Sequence, residues 1–132
     1  LLGKAEIAVE RQDSATRRVL MNRTELQQVL INLIVNAIHA MPDGGKLALL
    51  SRDEMREGRD GIRVDVTDTG IGMTPEVLAR IFDPFFTTKR QHGTGLGLSI
   101  SQTLVRRQGG SLSAESEPGK GTTFSIWLPE AN

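Results

Sequence analysis

The 132 residues include no cysteine, no tyrosine, one tryptophan and four phenylalanines. Without cysteine there is no disulfide, no thiolate metal site and no cysteine nucleophile. With aromatic rings this scarce, a platform for stacking nucleic-acid bases has little to be built from. Neither charge sign dominates: sixteen Lys and Arg offset sixteen Asp and Glu. No basic stripe is interleaved with aromatics, which argues against nucleic-acid binding through bulk charge. No apolar run approaches the ~20 residues of a membrane-spanning helix, and the first residues lack a signal-peptide pattern, so a cytoplasmic location is expected. The length suits one compact domain, and 38% hydrophobic residues can build its core. Glycine alone is plentiful, with 14 residues against a usual share of ~7%. The glycines cluster at Gly70 and Gly72, at Gly93, Gly95 and Gly97, and at Gly119 and Gly121, and the function is to be sought there.

Along the chain there is no repeat, low-complexity tract or linker. Residues 5–9 and 17–20 read as two short strands joined by the polar turn Arg11-Gln12-Asp13-Ser14. Asn22 followed by Glu25 reads as a capping box, and Leu26, Val29, Leu30, Leu33, Ile34, Ala37 and Met41 recur at helical spacing behind it. Pro42-Asp43-Gly44-Gly45 ends that helix. Residues 46–51 and 62–67 have strand character, and 52–61 form a charged hairpin tip. A short helix opens at Thr74-Pro75 and runs to 81, and a longer one spans 96–108. Residues 111–116 and 122–128 supply the last two strands. The pattern predicts an α/β (α+β) two-layer sandwich: a mixed, mostly antiparallel five-stranded sheet with about three helices on one face.

Four constellations could carry chemistry. On the long helix, Asn32 and Asn36 leave the same face, with His39 one turn further on. The amides either satisfy neighbouring backbone or, with a phosphate chain completing the shell, offer an oxygen to Mg²⁺. At a strand end, Asp68-Thr69-Gly70-Ile71-Gly72-Met73 is either a turn begun by Asp or a carboxylate able to accept from an exocyclic amine beside glycines that admit a flat ring. Gly93-Thr94-Gly95-Leu96-Gly97-Leu98 runs into a helix N-terminus, where unpaired N–H groups favour phosphate. It is neither a dinucleotide fingerprint nor a Walker loop, for the spacing fits neither. The polar, basic stretch 87–92 before it reads as a lid anchored on Phe82, Phe85 and Phe86, or as a solvated surface loop. Gly119-Lys120-Gly121-Thr122 by itself is an ordinary turn.

In their order and spacing the four motifs resemble the catalytic ATP-binding domain of sensor histidine kinases, within the superfamily that includes gyrase, Hsp90 and MutL. Asn32-Leu33-Ile34-Val35-Asn36-Ala37 resembles its N box and Asp68-Thr69-Gly70-Ile71-Gly72 its first G box. Phe82-Asp83-Pro84-Phe85-Phe86 resembles the F box, Gly93 to Leu98 the second G box, and Gly119-Lys120-Gly121-Thr122 the last. Phe85-Phe86-Thr87-Thr88-Lys89 especially resembles the nitrogen-regulator type. The resemblance implies the Bergerat-type fold, ATP and Mg²⁺. It implies that Asp68 reads the adenine amino group with Thr122 in support, and that Gly70, Gly72, Met73 and Phe82 line the pocket. Asn36 holds Mg²⁺, Asn32 lines the same site, and His39 stands where many relatives carry Lys. Gly93, Thr94, Gly95, Leu96, Gly97 and Leu98 wrap the phosphates, and Lys89 or Arg90 meets the γ-phosphate. Asn32, Lys89 and Arg90 are thereby the catalytic candidates.

One position separates branches of the superfamily. Hydrolytic relatives usually carry Glu four residues before the magnesium Asn, whereas here that residue is Asn32, an amide without useful basicity. A domain without its own base suits transfer to a histidine elsewhere better than hydrolysis, which leaves a gyrase- or MutL-like ATPase and a degenerate docking module as alternatives. His39 precedes Ala40 and His92 precedes Gly93, so neither fits the acceptor-then-acid pattern of a phosphoacceptor. The expectation is one catalytic domain over 1–132, with the dimerisation and phosphoacceptor domain absent from it. The implied partners are that histidine-containing domain and a response regulator. The fragment is expected to be monomeric and the full-length kinase, membrane-anchored or not, homodimeric.

Overall fold

A computed structural model describes residues 6–86 and 97–131. Its elements are β1 (Ile7–Asp13), α1 (Arg23–His39), β2 (Gly45–Asp53), β3 (Gly61–Asp68), α2 (Pro75–Leu78), α3 (Gly97–Arg107), β4 (Ser111–Glu117) and β5 (Gly121–Pro129). The five strands form one sheet in the order β1-β2-β3-β5-β4. β1 runs parallel to β2, and the other neighbours are antiparallel. This is the expected mixed, antiparallel-rich sheet with three helices.

Period-two alternation decides which sheet face is buried. On β3 and β5, Val66 faces Phe124 and Val64 faces Ile126, and these side chains meet Val29, Leu33 and Ala37 of α1 and Leu104 and Val105 of α3 in one core. The alternate positions carry a polar layer, with Arg63 bonded to Asp65 at 2.8 Å and to Ser125 at 3.1 Å, and Thr67 to Thr123 at 3.0 Å. The hairpin tip folds over Trp127, whose Nε1 donates to the Glu54 carbonyl at 2.8 Å while Arg56 stacks 5.6 Å from its ring.

Asn22 caps α1 as the sequence predicts, its Oδ1 accepting from the Glu25 N–H at 3.1 Å. Two local expectations change. The supposed turn at 11–14 lies largely within β1, which extends to Asp13. An edge strand facing water tolerates polar residues, and Lys46–Glu10 (2.9 Å) and Arg11–Asp13 (2.7 Å) pairs dress it. Of the second supposed strand, only Val19 bridges, to Glu130. The short helix ends at Leu78 and continues as a chain of tight turns, Arg80 N to Val77 O, Asp83 N to Arg80 O and Phe86 N to Asp83 O.

Candidate functional site

Asp68 ends β3 and is 3% exposed. Its Oδ1 accepts from the Gly70 N–H at 2.8 Å and the Thr122 N–H at 3.3 Å. Among the described residues no donor is assigned to Oδ2. Burial pushes the carboxyl above its ordinary range, and the two backbone N–H groups pull part of the way back. A carboxylate with one oxygen held by backbone is oriented to accept from a ligand through the other.

The loop after Asp68 is fixed by close backbone contacts. Ile71 N–H donates to Ala40 O at 2.9 Å, and Gly119 N–H donates to Ile71 O at 2.7 Å. A Cβ on Gly70 would collide with the Ala40 carbonyl. Its smallness therefore serves packing against the end of α1. Gly72 has φ +70°, and a Cβ there would run into the Glu117 carbonyl. Met73 N–H donates to Ser116 Oγ at 2.8 Å, and Ser116 Oγ also lies 2.9 Å from Gly121 O and 2.8 Å from Thr122 Oγ1. Thr122 pairs with Asp68 across β3 and β5, so these two buried polar side chains share one face of the sheet.

A second group lies where α1 meets α3. Asn32 Nδ2 donates to Ser101 Oγ at 3.1 Å and to Gly97 O at 3.4 Å, tying the helices together. Asn36 Nδ2 donates to Asn32 O at 2.8 Å, so its Oδ1 points away from its own helix backbone as a potential cation ligand. Gly97, at the start of α3, would place a Cβ 3.8 Å from the Asn32 amide, so the helix N-terminus and Asn32 are neighbours. Leu98 packs against the core, and His39 is half-buried in the last turn of α1.

The aromatic cluster divides. Phe82 stands edge-on to Phe124 with centroids 6.4 Å apart, and Phe86 lies under Arg80 at 4.7 Å. Phe85, expected to help anchor the following loop, is instead 72% exposed with φ +68°. Lys89, Arg90, Gly93, Thr94, Gly95 and Leu96, and with them the expected lid, lie outside the described residues.

Two residues of the site escaped the sequence reading. Ser116 follows Leu112 and Ala114 on the inward side of β4, and Ser101 is 0% exposed on the buried arc of α3 beside Leu104 and Val105. A hydroxyl at a core-facing register position was the available signal for each.

Residues 21–132 match the family described as histidine kinase-, DNA gyrase B- and HSP90-like ATPase. The chain belongs to this family. Within it, this chain is 42% identical over 113 residues to the sensor histidine kinase ZraS of Salmonella typhimurium, covering 86% of this chain and 23% of that protein. It is 43% identical over 118 residues to the sensor kinase CckA of Brucella abortus, covering 80% and 12%. It thus spans less than a quarter of the length of these relatives. The nucleotide-free catalytic domain of histidine kinase ThkA superposes with a TM-score of 0.80 at 34% identity, covering 94% of this chain and 79% of that one. Full-length ShkA in complex with AMPPNP superposes at 0.79 and 31%, covering 96% and 26%. The catalytic ATP-binding domain of a sensor histidine kinase is therefore the family and fold of this chain. Among the described residues no helix is long and apolar enough to cross a membrane.

Proposed function

We propose that this domain binds Mg-ATP between α1, α3 and the loop after β3, and that in its full-length kinase it passes the γ-phosphoryl group to a histidine on a separate dimerising domain. A response regulator would then take the phosphoryl group from that histidine. The observation that carries the reading is the buried Asp68 carboxylate, with Oδ1 held by two backbone N–H groups and Thr122 beside it on the same sheet face. Asp68 reads the exocyclic amine of adenine, Thr122 supports it, and Gly70, Gly72, Met73 and Phe82 shape the walls. Asn36 Oδ1 is the protein ligand for Mg²⁺, whose remaining oxygens come from the triphosphate and water. When bound, the cation neutralises charge between phosphates.

Asn32 bears on the choice between transfer and hydrolysis. Both protons of its amide nitrogen are directed at Ser101 Oγ and Gly97 O, and an amide takes up no proton at neutral pH. Water activation at this position therefore lacks a base, and the transferred group needs an acceptor deprotonated elsewhere. Lys89 and Arg90 are assigned to the γ-phosphate, and Gly93, Thr94, Gly95, Leu96, Gly97 and Leu98 to the phosphate chain by backbone N–H groups. His39 approaches the same phosphates from the end of α1. The kinase domain, residues 1–132, is assigned as one functional unit, monomeric by itself, with dimerisation belonging to the acceptor domain. The test is incubation with γ-labelled ATP and a supplied histidine-bearing dimerisation domain. Acid-labile label on the acceptor is the expected result, whereas steady phosphate release by this chain alone, with no labelled acceptor, would favour the hydrolytic reading.

A further inference from the structure

The Ser116 hydroxyl has a single proton and, among the described residues, three polar neighbours, and their chemistry decides where that proton goes. The Met73 N–H, at 2.8 Å, can only donate to Ser116 Oγ. The Gly121 carbonyl, at 2.9 Å, can only accept from it. If Ser116 gave its proton elsewhere, two oxygens would face each other at that distance with no hydrogen between them. Ser116 therefore donates to Gly121 O, and its 2.8 Å contact with Thr122 Oγ1 must be a bond that Thr122 donates. The Thr122 proton is thus drawn toward β4. On the side facing the site, its oxygen has only lone pairs left.

Asp68 lies directly across from Thr122 in the β3–β5 register, its Oδ1 filled by backbone donors. An ionised carboxylate is likewise acceptor-only. The two side chains together present acceptors and no donor, and a ligand atom between them must bring hydrogens. We propose that Ser116 is a positioning residue for base selection. By fixing the Thr122 hydroxyl as an acceptor, it favours a 6-amino purine over a 6-oxo purine, which would set an oxygen against two acceptors. This rests on the nucleotide-binding reading above and adds to it a residue that touches no ligand.

The experiment measures the affinities of ATP and inosine triphosphate for the wild-type chain, Ser116→Ala, Ser116→Thr, Thr122→Val and the Ser116→Ala/Thr122→Val double variant. Without Ser116 the Thr122 hydroxyl can turn and donate to a 6-oxo group. The ATP-to-ITP preference should narrow about tenfold in Ser116→Ala, the worth of one hydrogen bond. Ser116→Thr keeps a hydroxyl and should keep the preference. In the Thr122→Val background Ser116→Ala should change nothing further, because the serine acts through that hydroxyl. Ser116→Cys, whose sulfur is only a weak acceptor in the same place, reads the same narrowing if the alanine variant unfolds. An unmoved preference in folded Ser116→Ala or Ser116→Cys, or effects that add in the double variant, would overturn the assignment while leaving nucleotide binding intact. Binding of neither nucleotide by the wild-type chain would overturn both.

Discussion

Replacing Asp68 by Asn alters the charge and hydrogen inventory of one buried side chain and leaves the backbone as it is. The amide oxygen can still accept from the Gly70 and Thr122 N–H groups that Oδ1 accepts from now, so the loop keeps contacts worth about 1 kcal/mol each. The substitution also removes a charge that burial disfavours, since the folded-state carboxyl sits above its ordinary range. For a carboxyl raised on folding, the stabilisation is fully present below the unfolded-state value and is lost as pH rises through the folded-state value. At neutral pH the ionised Asp68 is thus a burden on the apo domain, and Asp68→Asn should melt at or slightly above the wild-type temperature. Binding should respond in the opposite sense. The proposed charged acceptor for the adenine amine disappears, and the new NH₂ opposes a donor with donors, a loss of ~2–4 kcal/mol or roughly 30- to 1000-fold. Thermal melts paired with calorimetric titration of a non-hydrolysable ATP analogue read both halves. A folded variant with unchanged affinity, or one that loses several degrees of melting temperature, would contradict this role for Asp68. In the wild-type, affinity should also fall in acid at a pH above that of an ordinary carboxylate, because protonation removes the acceptor.

Asn36→Ala should abolish the Mg²⁺-dependent part of nucleotide affinity and spare most of what remains in excess chelator, as paired titrations would reveal. Gly72→Ala should destabilise by about 1–3 kcal/mol in chemical denaturation, since φ +70° and the Glu117 carbonyl both oppose a Cβ. Leu33→Ala, emptying a fully buried core position, should lose about 2–5 kcal/mol in the same assay. On the far side of the molecule, Thr16 donates to Asp53 from both its hydroxyl and its N–H, holding that carboxyl low. Burial raises Glu54, but bonds from Arg52 and Arg56 with the charge of Arg63 outweigh it and leave Glu54 low as well. Stability from such groups is present above their unfolded-state values and lost as pH falls through the folded-state ones, so Glu54→Gln should flatten the acid limb of a stability–pH profile.

Much of the fold was legible because its signals are local. The Asn22 cap, the apolar spacing from Leu26 to Met41 and the glycine stops each act within a few residues. Of the proposed site, Asp68 and the two asparagines stand out in the sequence because polar groups interrupt apolar elements there. What was missed depends on contacts distant in sequence. Gly70 is small because Ala40 lies against it, and Ser101 is polar because Asn32 crosses it. Ser116 matters because β4 pairs with β5 in one particular register. The polar tail of β1 was read as a turn because an edge strand in water needs no hydrophobic alternation. Phe85 was grouped with Phe82 and Phe86 by adjacency, and its backbone conformation turns it outward.

Calorimetric titration of the purified chain with a non-hydrolysable ATP analogue, with and without Mg²⁺, asks whether the chain holds a Mg²⁺-dependent nucleotide site. Saturable binding at one site that tightens with Mg²⁺ is expected. A folded sample that takes up no nucleotide under either condition would contradict it.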